Sequence, residues 1–106
     1  MIIEQEDNGR FNRAKLLNIG AKFAMTQMEQ KCTKNESRQN LCLILHDIDM
    51  LPLNPKLKYE CFKKSPVLLA TAAEQFGYKM PYRWYFGGVV AIFWKHFELV
   101  NGYSNK

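Results

Sequence analysis

The run Leu41-Cys42-Leu43-Ile44-Leu45, followed at once by His46-Asp47-Ile48-Asp49, constrains this chain more than any other stretch. Five consecutive apolar residues are too few for a helix of their own and, bounded by polar residues, read as a buried central strand. Two carboxylates then stand one residue apart. In extended chain Asp47 and Asp49 leave the same face, at the end of a strand, which is where open α/β sheets bind ligands. Hard oxygen donors of this kind suit magnesium, calcium or manganese, ions that commonly sit between one or two carboxylates and a substrate's phosphates. The pattern is short and common, so taken alone it is better read as a polar turn, completed by Pro52, Asn54 and Pro55.

With 106 residues the chain can close one small domain or be a piece of a larger one. Hydrophobic residues at 47% and aromatics at 13% argue for a packed core rather than disorder. A net charge of +5 would suit a polyanionic partner, either nucleic acid or a nucleotide diphosphate, but it also simply keeps many proteins soluble. No recognisable nucleic-acid motif accompanies it, which leaves a nucleic-acid binder as a minor alternative. No apolar run approaches the roughly 20 residues needed to cross a bilayer. Met1-Ile2-Ile3 followed by Glu4, Glu6 and Asp7 is no signal peptide, so the sequence as given is expected to carry neither anchor nor targeting segment. Cys32, Cys42 and Cys61 lack the C-x-x-C spacing of a zinc or redox motif, and an odd count leaves at least one thiol unpaired within the chain.

From Arg10 to about Gln30, Ala14, Leu17, Ala21, Ala24 and Met28 recur at three- and four-residue steps and predict a helix with one apolar face. Asn8-Gly9 is a turn signal before it, and Gly20 weakens its middle by about 1 kcal/mol relative to Ala. Lys31 to Asn40 is polar and aperiodic, an exposed connection containing Asn35-Glu36-Ser37, a glycan acceptor only if the chain enters the secretory pathway. After the Asp pair come a loop from Leu53 to Lys64, with one short helical turn around Tyr59, and a second strand at Pro66–Ala70. Val89–Phe93 is a third strand, and Lys95–Val100 a short helix stopped at Asn101-Gly102. Helix and strand alternate, so the expected class is α/β.

Between the second and third strands, Phe76 to Gly88 is dense in aromatics and punctuated by Gly and Pro. Flat, rigid side chains make walls for sugar rings and nucleobases, and glycine lets backbone amides approach phosphate or hydroxyl groups. An aromatic cluster packed beneath a loop explains the same residues equally well.

Taken together, Phe11-Asn12-Arg13-Ala14-Lys15-Leu16-Leu17-Asn18-Ile19-Gly20, His46-Asp47-Ile48-Asp49-Met50-Leu51-Pro52, Tyr82 through Val89, and Asn101-Gly102 resemble the β-1,4-galactosyltransferase family, glycosyltransferase family 7. Order and approximate spacing agree as well as the motifs, from about Arg10 to Asn105. The resemblance implies a single incomplete catalytic domain spanning residues 1–106, part of a GT-A (Rossmann-like) fold. It also implies manganese as cofactor, UDP-galactose as donor and a terminal N-acetylglucosamine of a glycoprotein or glycolipid as acceptor, with inversion at the transferred sugar. A Golgi lumenal location follows from the same resemblance.

By position, Phe11 and Arg13 match residues at the uridine end of the donor. Asp49 matches the metal ligand, Asp47 the carboxylate that faces the donor sugar and ribose, and Ile48 lies between them on the donor side. Gly88 matches a glycine whose backbone approaches the donor, and Tyr85 the residue that limits room around the sugar's second carbon. A tyrosine there resembles a preference for galactose, where family members with a smaller aliphatic side chain accept N-acetylgalactosamine. Phe76 and Tyr82 match acceptor-side aromatics. Cys42 and Cys61 match a family disulfide, closing a loop of about 20 residues worth roughly 3 kcal/mol in the chain-entropy model. Cys32 has no identified counterpart.

The family's catalytic base is expected beyond the equivalent of Lys106, after a Trp-Gly-Trp-Gly motif. The histidine and methionine that complete the metal site, an upstream Arg-containing motif and an amino-terminal membrane anchor are likewise absent from this sequence. The expectation is therefore a central fragment, catalytic in its full-length context. The alternative is a catalytically inactive nucleotide- or sugar-binding module. His46 is expected to point away from the Asp pair by strand alternation, and His96 to be a surface or packing residue.

Overall fold

The computed structural model describes residues 1–31, 38–71, 77–80, 82–83 and 85–104. The chain divides into two compact units, one made of Met1–Leu41 with Trp94–Lys106 and the other of Cys42–Phe93. Helices and a small antiparallel sheet make up the regular structure, consistent with the α/β class. Among the described residues, no helix is long and apolar enough to cross a membrane.

The first unit is built on helix α1, Arg13–Lys31. Its start is set by Asn12, whose Oδ1 accepts the amide of Lys15 at 2.9 Å while its carbonyl accepts the amide of Leu16 at 3.1 Å. This is an N-cap in full, and it satisfies a donor that would otherwise be orphaned in the first turn. The predicted apolar face is present: Ala21 and Met25 are buried, with Ala14, Leu17, Ala24 and Met28 half-buried beside them. Gly20 is buried on that same face. A Cβ there would lie 2.9 Å from Ile3 Cγ1, so the glycine admits the N-terminal segment against the helix, and its propensity cost is offset by that approach.

Residues ahead of the helix are organised by the Gln5 amide. Its Oε1 accepts the amide of Asn12 at 3.2 Å, and its Nε2 donates to Asp7 Oδ1 at 2.9 Å and to the Gly9 carbonyl at 3.2 Å. Asp7 Oδ1 also accepts the Gly9 amide at 2.8 Å. At the other end of the chain, helix α2, Trp94–Leu99, buries Trp94 and Phe97 and terminates as predicted at Asn101-Gly102. Asn101 adopts φ 59°, and the amides of Gly102 and Asn101 donate to the carbonyls of Phe97 and Glu98, the paired bonds of a Schellman motif.

The second unit is a three-stranded sheet of β1 (Cys42–His46), β2 (Val67–Leu68) and β3 (Val89–Phe93), in the order β1-β3-β2 with both pairings antiparallel. The central strand is β3, in which Val89, Val90, Ala91 and Ile92 are all buried. The Leu41 run was expected at the centre. It instead forms the edge of this sheet and alternates, with only Leu43 and Leu45 buried. An apolar run marks a strand, but the strand's coverage and its place in a sheet depend on partners distant in sequence. The second strand keeps only two of its five expected residues.

Candidate functional site

At the end of β1 the chain leaves the sheet immediately. The amide of Met50 donates to the carbonyl of Asp47 at 3.2 Å, closing a four-residue turn that carries Asp47, Ile48 and Asp49. The Asp pair is therefore presented on a turn rather than along an extended strand face. Ile48 and Asp49 are exposed, and Asp47 is half-buried.

The turn is fastened to the glycine pair. The amide of Asp47 donates to the carbonyl of Gly88 at 2.7 Å, extending the β1–β3 register by one step beyond His46 and Val89. Gly88 has φ +77° and is the centre of a γ-turn in which the Val89 amide reaches back to the Gly87 carbonyl at 3.0 Å. A side chain there would be crowded: a Cβ on Gly88 would lie 2.8 Å from Met50 Cε, 3.2 Å from Ala70 Cβ and 3.3 Å from the Tyr85 hydroxyl. Tyr85 thus lies along the Gly87-Gly88 backbone, and Tyr82 meets it edge-on at 5.5 Å between centroids with an interplanar angle of 87°. Asp47, Gly88, Tyr85 and Tyr82 form one corner of the second unit.

At the start of β1, Cys42 is joined by a disulfide to Cys61, their Cα atoms 5.7 Å apart across a separation of 19 residues. The turn lies inside this loop. His46 is engaged rather than merely turned away: its Nδ1 lies 2.6 Å from the Asp47 carbonyl and its Nε2 3.2 Å from the Tyr59 hydroxyl, leaving neither ring nitrogen for a metal. Its expected exclusion from the ligand set stands on these bonds, since the chain is no longer a strand at Asp47.

The carboxylates of Asp47 and Asp49 are the hard donors that manganese or another divalent cation takes. Among the described residues no group of three His, Cys, Asp or Glu side chains converges, so the described part of the chain offers the pair. In kind, these donors fit the ion.

In the first unit, Phe11 and Arg13 flank the capping residue Asn12. Phe11 is 70% exposed, free to meet a planar ligand. The Arg13 guanidinium stands 5.9 Å from the centroid of Tyr103, a cation–π contact. Tyr103 is itself clasped by Asn18, whose Nδ2 donates to its carbonyl and whose Oδ1 accepts its amide, each at 2.8 Å. A cavity of about 420 Å³ in this unit is lined by Gln5, Asp7, Arg10, Asn12 and Lys15 among others. Its mixture of carboxylates and cations points to no single ligand class.

Phe76, Asn35 and Cys32, named above as an acceptor-side aromatic, a glycan acceptor and an unassigned thiol, lie outside the described residues. His96 is half-buried on α2, as a packing histidine would be. The contributions of Asn12 and Tyr59 escaped the sequence reading. Asn12 was legible in principle, as an Asn directly before a helical period. Nothing local marks Tyr59, whose role depends on the disulfide two residues on.

Residues 1–62 match the family described as the N-terminal region of glycosyl transferase group 7, and residues 68–106 match the N-terminal domain of galactosyltransferase. Beta-1,4-galactosyltransferase 3 of Homo sapiens is 41% identical over 105 residues, covering 99% of this chain and 24% of that protein. Beta-1,4-galactosyltransferase 1 of Bos taurus is 36% identical over 105 residues, covering 99% of this chain and 23% of its own length, and the Mus musculus protein of the same name is 35% identical, covering 99% and 24%. The chain spans about a quarter of the length of these curated relatives. With the glycosyl transferase group 7 match extending over more than half of its residues, and the Asp turn and glycine corner lying in the two matched segments, the chain belongs to the β-1,4-galactosyltransferase family, glycosyltransferase family 7.

Proposed function

We propose that the protein is a galactosyltransferase of GT-A fold, to whose catalytic domain this chain contributes much of the donor site. It would transfer galactose from UDP-galactose to a terminal N-acetylglucosamine on a glycoprotein or glycolipid, with inversion and with manganese bound. The observation that carries this reading is the 2.7 Å bond from the Asp47 amide to the Gly88 carbonyl. It puts a carboxylate pair, the Gly87-Gly88 backbone and the Tyr85 ring at one corner, the combination a nucleotide sugar calls for.

In this reading Asp49 is the principal manganese ligand, Asp47 faces the donor sugar and ribose, and Ile48 lies against the donor between them. Gly88 admits the donor to the backbone, and Tyr85 limits the room at the sugar's second carbon. Tyr82 and Phe76 face the acceptor, while Phe11 and Arg13 hold the uridine end. Manganese, when bound, supplies Lewis-acid stabilisation of the diphosphate leaving group. The acceptor hydroxyl oxygen bonds to the anomeric carbon as the bond from that carbon to the UDP oxygen breaks. The hydroxyl proton passes to a base to which we assign no residue of this chain. A Golgi lumenal location is part of the proposal, and the Cys42–Cys61 disulfide supports an oxidising compartment.

The test is Asp49→Asn in the full-length protein, with UDP-galactose binding and galactose transfer measured separately against manganese concentration. A neutral amide is a poorer ligand, so manganese-dependent donor binding and transfer should both be lost. Undiminished manganese affinity in the variant would remove Asp49 from the ligand set. Donor binding without transfer in the unmodified protein would instead favour an inactive nucleotide- or sugar-binding module.

A further inference from the structure

We infer that His46 and Tyr59 are positioning residues for the Asp47–Met50 turn, a role that rests on the donor site proposed above for its metal consequence but not for its geometry. The Asp47 carbonyl receives two donors, the Met50 amide at 3.2 Å and His46 Nδ1 at 2.6 Å. A carbonyl can only accept, so Nδ1 carries the proton. In the neutral ring Nε2 is then the acceptor, and the hydrogen bond at 3.2 Å runs from the Tyr59 hydroxyl to His46. The two rings also stack, with centroids 5.8 Å apart and planes at 19°.

Tyr59 is in turn fixed by its place in the chain. It stands two residues before Cys61, which is bonded to Cys42 four residues before His46. The disulfide therefore holds Tyr59 within reach of the ring, and the ring holds the carbonyl that closes the turn. This order of support matters because the turn has little packing of its own: Ile48 is 78% exposed and Asp49 is exposed as well. Its geometry depends on backbone bonds at Asp47, and the Tyr59–His46–Asp47 series fixes one of the two lone pairs involved. Removing an outer-shell partner of this sort typically costs about 10- to 100-fold in metal affinity.

Three variants of the full-length protein separate this role from a general loss of structure. His46→Ala removes the donor and the stack, Tyr59→Phe keeps the stack but removes the hydroxyl, and His46→Asn offers a side-chain N–H where Nδ1 stood. Exchange of the Met50 amide is measured in the metal-free protein, manganese affinity by electron paramagnetic resonance, and global stability by thermal melting. Expected in His46→Ala are about tenfold faster Met50 exchange and about tenfold weaker manganese binding. Expected too are a smaller effect of each kind in Tyr59→Phe and recovery of most of both in His46→Asn. Unchanged Met50 exchange in His46→Ala overturns the inference, as does a loss of manganese affinity that merely follows the melting temperature without recovery in His46→Asn. Failure of the unmodified protein to bind manganese would overturn the metal reading of the turn, a result distinguishable from failure of the brace because amide exchange is read without metal.

Discussion

The amide of Asp47 donates to the carbonyl of Gly88 at 2.7 Å, so the turn that follows β1 and the γ-turn that precedes β3 are locked to each other by backbone alone. Side chains on either side can change without breaking that lock, but the backbone conformation at Gly88 cannot. With φ at +77°, any L side chain there is strained, by about 1–2 kcal/mol for the conformation itself.

Gly88→Ala should therefore destabilise the protein by about 1–3 kcal/mol, the strain being increased by the approach of its Cβ to Ala70. Met50 Cε, the nearest atom at 2.8 Å, is the tip of a flexible side chain and can move aside. Gly87→Ala provides the contrast: its Cβ would first meet the Tyr85 side chain, at 3.2 Å, and its φ is not in the left-handed region, so its loss should be smaller. Denaturant unfolding of the two variants checks this, and equal losses would rule out backbone strain at Gly88 as the cause.

The disulfide yields a second expectation. Closing a separation of 19 residues restricts the unfolded chain by about 3 kcal/mol in the entropy model, so Cys61→Ser should lower stability by about that much. Peptide mapping, without reductant, of protein produced through the secretory pathway should recover Cys42 and Cys61 joined. Both thiols free would contradict the disulfide and the oxidising compartment together.

Acid should loosen the N-terminal segment through Asp7. Asp7 is held below its ordinary value of 3.8 chiefly by the Gly9 amide, then by the Gln5 side chain. A carboxyl whose folded pKa is depressed contributes stability that is fully present above the unfolded pKa and is lost as pH falls through the folded one. The amide resonance of Gly9 should therefore shift only below the ordinary carboxylate value of 3.8, and Asp7→Asn should abolish that titration. A Gly9 shift that persists in Asp7→Asn would assign the transition to another group.

Local signals told most of what local physics decides. The apolar face of α1, the Schellman stop at Asn101-Gly102 and the third strand were all legible, because helix period, left-handed caps and β-branched runs are properties of short segments. Three features were not. The edge position of β1 follows from pairing with Val89–Phe93, more than 40 residues away. Gly20 looked like a weakness in α1 until Ile3 was seen to need the space. For the Asp pair both a strand face and a polar turn were open, and the Met50 amide, which turns the chain back at Asp47, decides for the turn. Its pairing with Tyr59 through His46 needs the disulfide to be known first.

The last prediction concerns donor choice and turns on the volume at Tyr85. The ring lies along Gly87-Gly88 and meets Tyr82 edge-on, so it is held in place beside the glycine backbone that the proposed donor would approach. In the proposed site galactose, with a hydroxyl on its second carbon, would be accommodated there, whereas an N-acetyl group would collide with the ring or displace it. Overpacking of that kind costs about 1–3 kcal/mol, or roughly ten- to hundredfold in discrimination. Tyr85→Leu in the full-length protein should raise transfer of N-acetylgalactosamine and leave galactose transfer largely intact. If the ring serves only to support Tyr82 and the glycine turn, truncation will depress both activities together. Comparing kcat/KM for the two donors in the unmodified protein and the variant decides the matter: a ratio shifted at least tenfold toward N-acetylgalactosamine supports the pocket assignment, and an unchanged ratio refutes it.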